Sequence, residues 1–270
     1  PKDYIRYMLT GVYATDVSDA SGMQLLDLGE RCWSNEILQK LEIDQDLLAR
    51  VYESPETTGF INEAASKLCG LKKGIPVAAG AGDNAAAAIG TGVCKNGKAF
   101  TTIGTSGVVF AHTDKLVFDS RGRIHTFCCA VPGAWHVMGV TQAAGLSLSW
   151  FKNQFAKDLS YSEIDELCEK IPIGSNKLIY LPYLMGERTP VLDTNARGVF
   201  FGLSAMHSRA HMARAVMEGV SYSLKNCLDV LDEIGVATAD MALCGGGAKG
   251  EFWCRMIADL FNMPVKIMQS

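Results

Sequence analysis

Two short apolar runs that break into glycine and then into helix-forming residues constrain this chain more than any other feature. Ile75–Ala79 leads into Gly80-Ala81-Gly82-Asp83-Asn84 and then Ala85–Ala88, and Met241–Cys244 leads into Gly245–Gly250 and then Glu251–Phe261. Each reads as strand, tight turn, helix, a pattern that belongs to α/β proteins. Glycine supplies 27 of the 270 residues, above an average of about 7%, and the excess is clustered at 80–107 and 245–250. Only glycine lets a main chain approach a phosphate closely, so these turns are where chemistry is expected.

The remaining pattern is consistent with that class. Lys98–Ile103 and Val108–His112 are rich in β-branched and aromatic residues and flank Gly104-Thr105-Ser106-Gly107, which predicts a β-hairpin. A second hairpin is expected at Ile124–Val131 and Ala134–Val140, turning at Pro132-Gly133 and leading into a helix from about Ala143 to Phe155. Ser160-x-x-Glu163 is a capping box that opens another helix. Strands are expected at Leu178–Leu181, Gly198–Gly202 and Pro264–Met268. From Ser208 to Ile234 apolar residues recur at steps of three or four, the mark of one long amphipathic helix ending at Gly235. The first 75 residues read as helix and loop, with Ser18-Asp19 capping Ala20–Leu26 and Ser34 capping Asn35–Leu41.

Composition removes several function classes. Twenty-five Lys and Arg against 29 Asp and Glu give a net charge of −4, with no basic run suited to a phosphate backbone, so nucleic acid is not an expected partner. No apolar stretch reaches the roughly 18 residues of a membrane span, and the first residues lack a signal-peptide pattern. The expectation is no membrane, and a cytoplasmic protein. Nine cysteines without a Cys-x-x-Cys pair read as reduced, mostly buried thiols and argue against a zinc site.

Gly80-Gly82-Ala85 and Gly245-Gly247-Gly250 both fit Gly-x-Gly-x-x-Gly/Ala, the dinucleotide fingerprint. That reading needs an acidic residue about 20 positions further on, and none lies between residues 84 and 113. Gly92–Lys98 imitates a P-loop, but Ala99 stands where Ser or Thr should follow, and its helix and strand are in the reverse order. The P-loop reading is rejected, and the dinucleotide reading stays as a distant alternative that ATP against NAD binding would separate. Gly104–Gly107 either turns a hairpin or lines an anion site with the Thr105 and Ser106 hydroxyls. Asp83 is a natural helix N-cap, and its carboxylate could equally accept a proton from an attacking hydroxyl. The two roles are compatible.

Longer blocks carry a resemblance. Pro1-Lys2-Asp3-Tyr4-Ile5-Arg6 with Leu9-Thr10-Gly11, Ser18-Asp19-Ala20-Ser21-Gly22, Gly82-Asp83-Asn84-Ala85-Ala86 and Gly245-Gly246-Gly247-Ala248-Lys249 follow one another along the chain. Gly198-x-Phe200-x-Gly202-Leu203, seven residues, then His211-Met212-x-x-Ala215-Val216-Met217-Glu218, form a further long signature. Together they resemble the FGGY family of carbohydrate kinases over nearly all of the sequence. The resemblance implies an α/β, actin-like ATPase (ribonuclease H-like) fold, here the end of the first domain (1–92, sugar-binding) and most of the second (93–270, nucleotide-binding). In the family two such domains enclose a cleft that holds ATP and Mg²⁺. The implied reaction is phosphorylation of a sugar, D-xylulose being the expected one, with gluconate, ribulose or glycerol as alternatives and a non-catalytic nucleotide-binding module as another.

By position, the resemblance makes Asp83 the proton acceptor and places Asn84 beside it at the sugar. It places Gly104, Thr105, Ser106, Gly145, Ser149, Gly246, Gly247 and Lys249 at ATP. It assigns no metal ligand within the chain. The expected partners are a small sugar and ATP, and a homodimer is the assembly entertained. Glu187-Arg188 is read as a buried or rim ion pair in preference to a substrate contact, and His211 and Glu218 as structural. The family's opening Asp-x-Gly-Thr hairpin, which holds Mg²⁺ and phosphates, is not found in this sequence, so the chain is expected to be inactive alone.

Overall fold

The computed structural model describes residues 1–268. They fall into two units, one of residues 1–95, 112–116 and 126–136, the other of residues 96–111, 117–125 and 137 onward.

In the first unit, α1 (Lys2–Thr10) ends on Gly11, whose left-handed φ of 77° closes the helix. Strand β1 (Ala14–Asp16) is entirely buried and is followed by α2 (Val17–Gly22). Next come β2 (Leu26–Asp27), β3 (Cys32–Trp33), α3 (Asn35–Lys40) and β4 (Arg50–Tyr52), the last pairing in parallel with β1. Strand β5 (Thr57–Phe60) precedes α4 (Glu63–Cys69), pairs antiparallel with β6 (Pro76–Ala78), and the Gly80 turn then opens α5 (Asp83–Thr91). Val17, Ala20, Leu26, Trp33, Leu38 and Cys128 form its core.

Three expectations change here. The first 75 residues are not helix and loop alone, since five short strands run through them. Strands of two to four residues carry too little alternation to show a period of two. The helix expected at Ala20–Leu26 is α2, and its cap is Asp16, whose carboxylate accepts from the Ser18 and Asp19 backbone N–H groups. Asp83 is the first helical residue of α5, and Gly82 takes the N-cap position. Ser34 does cap α3, accepting from Ile37 N–H at 3.4 Å.

In the second unit, β7 (Gly97–Ile103) and β8 (Gly107–Thr113) form the expected hairpin, with Ile103 opposite Gly107. Strand β9 (His125–Cys128), of which residues 126–128 belong to the first unit, and β10 (Trp135–Thr141) precede α6 (Gly145–Phe155), and the Ser160 box, with both of its hydrogen bonds made, opens α7 (Tyr161–Glu169). The two-stranded ribbon of β11 (Ile179–Leu181) and β12 (Val199–Phe201) precedes α8 (Arg209–Glu233). The chain continues through β13 (Thr238–Cys244), α9 (Glu251–Phe261) and β14 (Val265–Ile267). The main sheet is mixed, in the order β14-β13-β7-β8-β10-β9, with β13 parallel to both β14 and β7. Val216, Val220, Leu224, Leu228 and Leu231 carry the apolar stripe of α8 into a core shared with Phe151, Ile164 and Ile257. The P-loop imitation is explained by position: Gly92 closes α5 at φ 75°, and Gly97 opens β7.

All nine cysteines are free thiols; five are buried, and Cys32 and Cys69 are exposed. Among the described residues, no helix is long and apolar enough to cross a membrane.

Glu187 and Arg188 do not pair with each other, contrary to expectation. Glu187 is buried and accepts from the Thr141 hydroxyl at 2.6 Å, the Gln142 N–H at 3.0 Å and the Arg188 backbone N–H at 2.7 Å, while the Arg188 side chain reaches His125. The two side chains find partners on different elements, Glu187 at the end of β10 and Arg188 on β9, which separates the two charges. Replacing Glu187 by alanine would strand these buried donors, at about 1–3 kcal/mol for each one left unsatisfied. A thermal melt should show a clearly lower midpoint for Glu187→Ala than for the parent, and an unchanged midpoint would remove this role.

An electrostatic clasp centres on Arg123, with the Asp119 carboxylate largely buried and Glu233 exposed. Arg123 binds Asp119 with Nε on Oδ2 and Nη2 on Oδ1, both at 3.0 Å, and also reaches Glu233 at 2.7 Å. The guanidinium holds the Asp119 carboxyl down to about 2. A carboxyl depressed in the folded state contributes stability that is complete above its unfolded value and lost as pH falls toward the folded one. Asp119→Asn should therefore flatten the acid limb of stability between about pH 4 and pH 2, as read by denaturant melts across that range.

Candidate active site

In the first unit, the Gly80–Asn84 turn sets Asp83 at the N-terminus of α5, exposed, where the helix dipole favours a negative charge. Its Oδ1 accepts from the Asn84 backbone N–H at 2.7 Å and from Asn84 Nδ2 at 3.2 Å. These contacts leave the rest of the carboxylate open to a ligand hydroxyl. Gly82 N–H donates to the Ser18 hydroxyl at 2.9 Å, fixing the turn one residue before Asp83.

In the second unit, a cavity of about 930 Å³ is lined by Gly104 and Thr105 of the β7–β8 turn, Gly145 and Ser149 of α6, and Gly246, Gly247 and Lys249 after β13. These residues are far apart in sequence and converge because Ile103-Gly104 acts as a common floor. Gly145 N–H donates to the Gly104 carbonyl at 2.7 Å, and Ala144 and Leu146 N–H donate to the Thr105 carbonyl at 3.0 and 3.2 Å. A Cβ on Gly145 would lie 2.5 Å from the Gly104 oxygen, one on Gly247 would lie 2.5 Å from the Ile103 side chain, and Gly245 holds a φ of 89° against the Ile103 carbonyl. A Cβ on Gly246 meets nothing within 4 Å, so the backbone there faces open space that a ligand can approach. Thr105 and Lys249 are exposed at the rim.

Ser106 is the exception among the expected residues. It does not line the cavity, and its carbonyl accepts from Gly104 N–H at 3.1 Å, closing the turn instead. The sequence reading also missed the opposite wall, formed by Tyr161 and Asp165 of α7 and by Phe252 and Arg255 of α9. The capping box located α7 but gave no sign of which face would meet the cavity. Asp165 is half-buried against Gly250, where a Cβ would lie 2.4 Å from its Oδ2. Burial first, and then the Glu169 charge, push the Asp165 carboxyl above its ordinary value.

A site of this volume, with convergent backbone groups, a hydroxyl and a lysine on one side and aromatic rings on the other, fits a nucleotide with its phosphates at the glycine turns. A metal is another matter. Among the described residues no three His, Cys, Asp or Glu side chains gather to hold one. Mg²⁺, where the reaction uses it, would be held chiefly by the phosphates of the nucleotide.

The family model described as the N-terminal domain of the FGGY family of carbohydrate kinases matches residues 1–90, and that described as the C-terminal domain matches residues 99–270. The xylulose kinase of Bacillus subtilis is 40% identical over 265 residues, 98% of this chain and 53% of that protein. The chain thus spans about half the length of the curated relatives it matches. Among solved structures, a ligand-bound xylulose kinase and a gluconate kinase, both from Lactobacillus acidophilus, each superpose with a TM-score of 0.94 at 29% identity, covering 100% of this chain and 55% of theirs.

Proposed function

The chain belongs to the FGGY family of carbohydrate kinases, and from that premise we propose that this protein transfers the γ-phosphoryl group of ATP to a hydroxyl of a sugar, D-xylulose in the first instance. The observation that carries the reading is the glycine-walled cavity, in which seven residues from three separate chain segments converge on one nucleotide-sized space. D-Xylulose is preferred on the 40% identity to the Bacillus subtilis enzyme, and gluconate is the second reading because of the equal structural match to a gluconate kinase.

In the proposed reaction the sugar oxygen bonds to the γ-phosphorus, the bond from that phosphorus to the bridging oxygen breaks, and ADP leaves. Asp83 takes the hydroxyl proton as the nucleophile forms, and Asn84 holds the carboxylate through its side-chain amide and backbone N–H. Gly246 and Gly247 bring main chain to the nucleotide, with Thr105 and Lys249 facing its phosphates. Gly145 sets the entry of α6 on the Gly104 carbonyl, and Ser149 lies along the same helix. Catalysis of this kind is mostly positioning and charge neutralisation.

Two measurements test the reading. Calorimetric titration of the chain with ATP and with NAD should show heat for ATP alone; binding of NAD instead would overturn it. Full-length protein assayed with D-xylulose, D-ribulose, gluconate and glycerol should show its highest kcat/KM with D-xylulose, and a preference for gluconate would transfer the assignment to the second reading.

A further inference from the structure

The turn that presents Asp83 is tied down at three points, and all three ties lead to one buried carboxylate. Gly80 N–H donates to the Ser54 carbonyl at 3.0 Å, Lys2 Nζ donates to the Ala79 carbonyl at 3.2 Å, and Gly82 N–H donates to the Ser18 hydroxyl at 2.9 Å. The side chains of the three anchoring residues then converge. Ser18 Oγ–H donates to Asp16 Oδ2 at 2.5 Å, Ser54 Oγ–H donates to the same oxygen at 2.8 Å, and the Lys2 ammonium sits 2.9 Å from Asp16 Oδ1. Asp16 has no exposed surface.

We propose that Asp16 is a positioning residue for the phosphoryl-transfer reaction, acting through Ser18 on the Gly82 N–H to hold Asp83 in place; this rests on Asp83 being the proton acceptor. The direction of the hydrogen bonds makes the relay specific. A serine hydroxyl has one proton and can accept on its lone pairs. Because the Ser18 O–H is directed at Asp16, Ser18 presents a lone pair to the Gly82 N–H, and a chain of hydrogen bonds that ends on a carboxylate is strengthened in a buried setting.

The turn has little other freedom. Gly80 sits at φ 80° with the Lys2 stem 2.9 Å from where a Cβ would be, and a Cβ on Gly82 would lie 2.9 Å from Asp19 Oδ1. The same charge also fixes Lys2: burial pulls its ammonium down, but hydrogen bonds to Asp3 and Asp16 carry it above its ordinary value. Lys2 therefore stays a cation and a donor to Ala79. Asp16 so reads the position of three elements, α1, α2 and the segment after β4, and passes it to one backbone turn.

The consequence is kinetic. Displacing a proton acceptor by about an ångström can cost on the order of 10²-fold in rate. Ser18→Ala removes both bonds of the Ser18 hydroxyl, to Asp16 and from Gly82, but leaves Asp16 its contacts to Ser54 and Lys2, so it is the cleaner probe; Asp16→Asn is the stronger one.

In full-length protein, Ser18→Ala should lower kcat for sugar phosphorylation roughly 10- to 100-fold, with the KM for ATP unchanged and the thermal midpoint still above the assay temperature. Ser18→Thr, which restores the hydroxyl, should recover most of that loss. A double-mutant cycle separates positioning from general damage: combined with Asp83→Ala, Ser18→Ala should add almost nothing, because a group that acts only through Asp83 has nothing left to act on. Additive losses in the double variant, or wild-type kcat in Ser18→Ala, would overturn the proposal. If Asp83→Ala itself kept full turnover, the failure would lie with the proton-acceptor assignment, not with the relay.

Discussion

Asp83→Ala is expected to reduce kcat for sugar phosphorylation by about 10²–10⁴-fold, the range of a lost general base, while leaving ATP affinity within twofold of the parent. The first half follows from where Asp83 stands: exposed, at a helix N-terminus, with Oδ1 engaged by the neighbouring Asn84. Such a group contributes little to folding, so the loss should appear in the chemical step and not in the melt. The second half follows from the cavity that gathers the nucleotide residues, whose lining contains no residue of the α5 turn. Steady-state kinetics with D-xylulose, together with titration of ATP into the variant, checks both halves. Turnover near the parent value would remove Asp83 from the mechanism, and a parallel loss of ATP binding would recast it as a structural residue.

Gly145→Ala should have the largest effect on the nucleotide side. The added methyl would lie 2.5 Å from the Gly104 carbonyl oxygen, a backbone atom that cannot swing away as a side-chain tip would. Either α6 shifts or the β7–β8 turn does, and both form the wall of the same cavity. Overpacking of this kind costs about 1–3 kcal/mol, and the Gly145 N–H to Gly104 bond at 2.7 Å is lost or stretched with it. The expected result is a lower thermal midpoint and a tenfold or greater rise in the dissociation constant for ATP, read by titration. Gly246→Ala is the control: its Cβ would point into open space, so stability should hold and any loss should appear in ligand affinity alone. Parent-like binding by Gly145→Ala would show that the α6 entry does not shape the site.

Elements with a long period were readable from residues. The stripe of α8, the Ser160 capping box and the Gly104–Gly107 hairpin depend on neighbours within a few positions, and each lies within one or two residues of its expected bounds. The strands of the first 60 residues were not readable, because two or three residues show no alternation and their burial is set by partners elsewhere in the chain. Asp16, Ser18 and Asp19 are all good capping residues, and nothing local says which carboxylate is buried. The ion pair expected of Glu187 and Arg188 failed for a related reason. Adjacency in sequence does not fix which partners two side chains meet, and each found its partner on another element.

The glycine turns show where the division falls. Their spacing after strands and before helices, and the family blocks that contain them, are properties of the sequence by itself, and they determined the fold class and the candidate residues. Which glycines are irreplaceable is a different matter: Gly145, Gly245 and Gly247 close on Ile103-Gly104, whereas Gly246 closes on nothing. Only the tertiary structure decided that, along with the far wall of the cavity and the burial of Asp16. Local propensity acts through neighbours a few residues away, but a close approach or a buried charge depends on atoms brought from more than thirty residues off, and no pattern along the chain encodes that distance.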